Sequence, residues 1–214
     1  MKLRTIIAIT ASLLTFASAT KAAVSVSIKN FTSTSVGTPI VNAAGVPVAS
    51  TTIFASAGIF TTLPDFSTAT ASQVLADFTA IDNTPVAGFA SSQGVFTAND
   101  LSGGTYPAGF SGANAYVLVG NNSTLANSTV IAVYHLAGQV FTPVDGFGNA
   151  TVAIAANATA GWVYGTVTPL SAQPTGIGTT TYTQGIQLIS SPVPEPSAAL
   201  LGMLGGLALL RRRR

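Results

Sequence analysis

An uncharged apolar run from Ser197 to Leu210, framed by Pro194-Glu195-Pro196 before it and Arg211 to Arg214 after it, takes residues 192–214 out of whatever the rest of the chain folds into. Pro194 and Pro196 fix their own φ, lack amide hydrogens and push the preceding residues out of the helical region, so Val193 to Glu195 is expected to be extended. From Ser197 the composition turns to Ala, Leu, Gly and Met, with no proline or charge until Arg211. These 14 residues make a helix roughly 21 Å long against about 30 Å of bilayer hydrocarbon, a short span that local thinning and the long arginine stems can accommodate. Four consecutive arginines then stop translocation and hold that end in the cytoplasm, which leaves Glu195 outside the opposite face.

The other end is read in the same terms. Lys2 and Arg4 form a basic start, Ile6 to Phe16 an apolar core, and Ala17-Ser18-Ala19 a small-x-small cleavage site. This is the pattern of a secretory signal over residues 1–19, with cleavage as late as Ala23 as the alternative. One folded domain is expected between the two segments, over residues 20–191.

The order Pro194-Glu195-Pro196, short apolar helix with Gly202, Gly205 and Gly206, and Arg211, Arg212, Arg213, Arg214 resembles the PEP-CTERM sorting signal of exopolysaccharide-producing Gram-negative bacteria. The resemblance covers about a tenth of the chain. It implies transient residence in the inner membrane and recognition by an exosortase, an integral-membrane cysteine transpeptidase that cuts near the Pro-Glu-Pro motif. It says nothing of what the domain in front of the tail does.

With both ends set aside, the apparent basicity of the chain disappears. The whole sequence carries a net charge of +2 and a pI near 9.2, but Lys2, Arg4 and the terminal arginines supply most of it. Without them and Glu195, Lys21 and Lys29 face Asp65, Asp77, Asp82, Asp100 and Asp145, a net charge of −3. A nucleic-acid partner is therefore not implied. The chain has no cysteine, so disulfides, thiolate metal sites and a thiol nucleophile are excluded and stability must come from burial. Only 7% of residues are charged while 48% are hydrophobic, and Ser, Thr, Asn and Gln supply the remaining polarity, a balance that suits an exported β protein better than a cytosolic enzyme.

Within the domain, Val24-Ser25-Val26-Ser27-Ile28-Lys29 alternates strictly and predicts a half-buried strand with Val24, Val26 and Ile28 inward. Ile53 to Thr61 is the next strand candidate. Thr70-x-x-Gln73 reads as a capping box ahead of Val74, Leu75 and Phe78, which predicts a helix of two or three turns ending near Ile81 before the stop Asp82-Asn83-Thr84-Pro85. Further strands are expected at Gly94–Thr97, Ala115–Gly120, Thr129–Leu136, Thr151–Ala156, Gly161–Thr168 and Thr181–Ile189. Tyr116 to Val119 and Val130 to Leu136 are apolar on both parities, as central strands covered on both faces would be, and should pair as a hairpin. The fold class expected is mainly β: an antiparallel β-sandwich with one short helix, plus an N-terminal signal helix and a C-terminal apolar helix.

Chemistry-bearing residues are sparse. His135 is the only histidine, with no second histidine for a metal site and no carboxylate nearby in sequence to orient it, and no Gly-x-Ser-x-Gly elbow accompanies it. The five aspartates sit mostly in turn contexts, and Asp145-Gly146-Phe147-Gly148-Asn149 lacks the spaced carboxylates of an EF-hand loop. No catalytic residue, cofactor or metal is assigned. Trp162 and Tyr164, read as alternating on one strand face, and Tyr106 and Phe110 in a Gly-rich loop are either core aromatics or rings on which a glycan stacks. The functional expectation is an exported, exosortase-processed structural or adhesive protein of the cell surface or extracellular matrix, associated with exopolysaccharide. A secreted glycan-acting hydrolase and an uncleaved, membrane-anchored periplasmic domain are the alternatives.

Overall fold

The structure, a computed structural model, describes residues 23–33, 36–49, 52–81, 93–102, 104–122, 124–146, 149–174 and 181–191. The signal segment 1–19, the stop at Asp82 to Pro85 and the whole tail 192–214, with its Pro-Glu-Pro motif, apolar run and arginines, lie outside the described residues. No helix among the described residues is long and apolar enough to cross a membrane.

The chain is mainly β. Strand β1 (Val24–Lys29) buries Val24, Val26 and Ile28 completely and turns Ser25 to solvent, with Ser27 and Lys29 half-exposed, as the alternation dictates. It is the middle strand of a three-stranded sheet between β7 (Thr97–Ser102) and β10 (Ala150–Ala155). A five-stranded sheet follows the order β11 (Trp162–Tyr164), β9 (Ile131–Tyr134), β8 (Tyr116–Gly120), β5 (Phe54–Phe60) and β6 (Phe78–Ala80). A third sheet joins β12 (Thr166–Pro169), β13 (Gln184–Gln187) and β4 (Ile40–Val41), and β2 (Phe31–Ser33) pairs with β3 (Val36–Gly37).

The sheets are mixed, which corrects the expectation of purely antiparallel pairing. β1 runs parallel to β10, with Val24 beside Ala150 and Ile28 beside Ile154, and β13 runs parallel to β4. A parallel pair needs a long crossover, and here more than a hundred residues separate β1 from β10. No local period can announce such a partner.

The expected hairpin forms at the centre of the five-stranded sheet, with β8 antiparallel to β9 and Leu118 opposite Val133. Every residue of both strands is buried because the two parities serve two cores. Val117, Val119, Ala132 and Tyr134 join Val24, Val26, Ile28, Val152 and Ile154 in one apolar cluster. Tyr116, Leu118, Ile131 and Val133 join Val74, Phe78, Tyr164 and Ile189 in the other.

The second core is roofed by helix α1 (Ala71–Asp77). Its capping box is complete: the Gln73 amide N–H donates to Thr70 Oγ1, and the Thr70 amide N–H donates to Gln73 Oε1 at 2.8 Å. The helix stops at Asp77 instead of reaching Ile81, because Phe78 adopts an extended backbone and Phe78-Thr79-Ala80 pairs with β5 as its edge strand. Phe78 stays buried, as the helical period required, but as a strand residue. The segments expected to be strands at Gly94–Thr97 and Gly161–Thr168 also shift. The former is extended only from Thr97, and the latter divides at Gly165, whose φ of +121° lies where an L side chain is strained.

Asn30 ties three segments together from a fully buried position. Its Nδ2 donates to the carbonyls of Thr38 at 3.0 Å and Gly94 at 2.9 Å, and its Oδ1 accepts from the Phe96 amide at 2.7 Å. The Asn30-Phe31-Thr32 triplet has the form of a glycosylation acceptor, but the amide nitrogen that such chemistry needs is engaged inside the fold.

Candidate functional site

His135 lies immediately after β9, half-buried, with its backbone N–H on the Gly161 carbonyl at 2.8 Å. Its Nδ1 is 3.0 Å from the Ala115 carbonyl, an oxygen that can only accept, so Nδ1 carries the proton. The ring stacks on Tyr116 with centroids 4.3 Å apart at 27°. A backbone carbonyl and a stacked phenol hold the imidazole as a packed margin residue. Nothing in this arrangement orients it toward a nucleophile.

The described aspartates have local structural partners. Asp65 closes a turn before α1: its Oδ1 accepts from the Ser67 amide at 3.0 Å and the Ser67 hydroxyl at 2.6 Å, and its Oδ2 accepts from Thr68 Oγ1 at 3.0 Å. These donors, Ser67 foremost, hold its carboxyl below the ordinary carboxylate range. Asp145 accepts from the Asn149 amide at 2.7 Å, and the Asp145 amide donates back to the Asn149 carbonyl at 2.8 Å. The segment is thus a closed turn of the kind Asp and Asn make with their own backbone. Asp77 ends α1, and Thr61 donates its amide to the Asp77 carbonyl. Asp100 falls within β7, and Asp82 lies outside the described residues. Among the described residues no three His, Asp or Glu converge on a point that could hold a metal.

Trp162 and Tyr164 do not share a face, contrary to the alternation expected for them. The pairing of β11 with β9 shifts register between them, placing Trp162 opposite Tyr134 and Tyr164 opposite Val133. Such a bulge inserts one unpaired residue and reverses side-chain parity beyond it. Trp162 therefore packs half-buried at the first core, edge-on to Tyr134 at 5.4 Å and 71°. Tyr164 enters the second core and donates its hydroxyl to the Ala69 carbonyl at 3.2 Å. Burial pushes the Tyr164 phenol above its ordinary value of 10.0, so it remains a neutral donor. At 2% exposure Tyr164 offers no ring to a sugar, whereas one side of Trp162 is open.

Tyr106 and Phe110 both turn inward onto Phe141, at 5.8 Å and 5.1 Å. Tyr106 also borders a surface cleft of about 310 Å³ with Pro107, Gly109 and Val144. A second cleft of about 310 Å³ has Val48, Ile53, Val130 and Leu188 on its walls with Asn42 and Gln187 among them. The amide oxygens there are already engaged, Asn42 Oδ1 by the Ala44 and Val46 amides and Gln187 Oε1 by Thr168. Neither cleft contains an aspartate or His135. Both are small and lined by apolar and uncharged polar groups, surfaces suited to contact more than to proton transfer. The sequence gave no sign of the second cleft, because its walls come from four separate segments of the chain.

Comparison with protein-family models, with curated proteins and with solved structures finds no match to this chain.

Proposed function

We propose that this chain is an exported, exosortase-processed structural or adhesive protein of the surface or extracellular matrix of a Gram-negative bacterium, associated with exopolysaccharide. The observation that carries the reading is the ordered series Pro194-Glu195-Pro196, apolar Ser197 to Leu210, and Arg211 to Arg214. The signal-like residues 1–19 agree with it, since an exosortase substrate must first be exported.

In this reading the domain is a β-sandwich whose two layers enclose the larger core and whose helix covers the outer face of the five-stranded sheet. Its work is mechanical and adhesive. Support comes from the local roles of Asp65, Asp145 and His135, each engaged in a turn or at the core margin. The nearly charge-free surface also suits a neutral or weakly charged polysaccharide, which is met by hydroxyl and amide groups without desolvating ions.

Intact-mass measurement of the protein from its native envelope and medium tests the proposal. The expected species begins between Thr20 and Val24 and ends near Pro194-Glu195-Pro196, with or without added glycan mass. A protein that keeps Arg211 to Arg214 in every fraction sinks the processing, and one that keeps residues 1–19 as well sinks the export.

A further inference from the structure

The chain leaves its folded part through a strap that fixes which end of the domain a membrane would meet. Ile189 and Ile131 exchange both backbone hydrogen bonds, at 3.0 and 2.9 Å, and the next carbonyl, Ser190, accepts from the Ala71 amide at 2.7 Å. Ser190 and Ser191 are then exposed. Three residue steps lead from Ser191 to Pro194 and six to Ser197. Fully extended, these reach only about 10 and 20 Å. A domain of this size is about 40 Å across, so the tether is too short for its far end to swing toward the bilayer.

Resting on the reading of residues 192–214 as a membrane-engaging segment, we propose that the end of the five-stranded sheet carrying Ser190 is apposed to the phospholipid headgroup layer before the tail is cut. Ile131 opens β9 opposite Gly120, the last residue of β8, so the connection 121–130 lies at this end. The N-terminus of α1 is bonded to Ser190 and lies there too. The exposed side chains of these segments include Thr68, Thr70, Ser72, Asn121, Thr124 and Thr129. Such hydroxyls and amides can bond headgroup phosphate and ester oxygens without desolvating a charge. Asp65, in the turn before the helix, is already held by Ser67 and Thr68. The opposite end of the sheet carries the turns at Ser111 and Ala137, before β8 and after β9.

The absence of cysteine makes this directly measurable. The full chain, tail included, is reconstituted into phosphatidylcholine vesicles as Thr124→Cys or Ala137→Cys, each labelled with an environment-sensitive fluorophore and challenged with headgroup-spin-labelled phosphatidylcholine. Quenching is expected to be several-fold stronger at Thr124→Cys, and the difference should collapse when a long Gly-Ser spacer is inserted between Ser191 and Pro192. Ser72→Cys and Ser111→Cys repeat the comparison if either first variant misfolds. Equal quenching at the two ends with the native tether, in protein that floats with the vesicles, overturns the inference alone. Protein that fails to float overturns the membrane reading of residues 192–214 and the inference with it.

Discussion

The Tyr164 hydroxyl donates to the carbonyl of Ala69 at 3.2 Å, linking an edge strand of the five-stranded sheet to the residue just before the Thr70 helix cap. The bond spans 95 positions in sequence, so it closes the lid formed by α1 onto the second core. Tyr164→Phe keeps the ring and removes this single donor, and should lower stability by about 1 to 1.5 kcal/mol. Trp162→Phe is the control at the other face of the same strand, because Trp162 Nε1 is buried without a hydrogen-bond partner among the described residues. Urea unfolding of the two variants should show the larger loss for Tyr164→Phe once the smaller indole contact area is accounted for by Trp162→Leu.

Thr70→Ala should cost about 1 kcal/mol, since it removes the side chain that receives the Gln73 amide and opens both halves of the capping box. α1 has only seven residues and no acidic group in its first turn to compensate. Thr70→Ser should restore most of the loss in the same denaturant titration. An alanine variant as stable as the parent would show that packing alone holds the helix.

Asn30→Ala should be the most damaging of the polar substitutions. It strands the Thr38 and Gly94 carbonyls and the Phe96 amide in a buried position, at about 1 to 3 kcal/mol for each group left without a partner. Partial relaxation and water entry would bring the total to about 3 kcal/mol, with a drop in melting temperature large enough to read by circular dichroism. Asn30→Asp should be nearly as harmful, because a carboxylate can accept from Phe96 but cannot donate to the two carbonyls.

Asp65 predicts the direction of one pH effect. Its folded pKa lies below the ordinary 3.8, through the Ser67 and Thr68 donors. The ionised form is thus favoured by folding, its contribution is present at pH above the unfolded value, and it is lost as pH falls through the folded one. Full solvent exposure keeps the effect small. Asp65→Ala should remove part of the loss of stability between neutral and strongly acidic pH, and an unchanged acid profile would show that the Ser67 and Thr68 bonds form equally in the unfolded turn.

The tail makes two opposite predictions in a strain that carries the exosortase. Replacing Arg211 to Arg214 with serine should let the apolar segment slip through and send unprocessed protein outward. Replacing Pro194 and Pro196 with alanine should let the helix extend over Glu195 and block cleavage while leaving the protein in the membrane. Fractionation followed by mass measurement separates the two outcomes, and parent-like processing of both variants would falsify the sorting assignment.

What the sequence by itself determined is what short-range physics can encode. The inward set Val24, Val26 and Ile28 follows from a two-residue period, the Thr70 and Gln73 cap from side chains within one turn of the backbone they satisfy, and the doubly buried β8 and β9 hairpin from apolar residues on both parities. What only the tertiary structure decided depends on partners far along the chain. β1 lies parallel to β10 because the two apolar faces fit one core, and Phe78 leaves the helical path because β5 offers it an edge to pair with. The shift between Trp162 and Tyr164 reverses side-chain parity in the middle of a strand, sending two aromatics with one sequence pattern into different cores. Asn30 becomes a buried junction only because Thr38, Gly94 and Phe96 converge on it. Each of these outcomes is chosen by burial and hydrogen-bond satisfaction summed over the whole fold, and a local window of residues contains neither quantity.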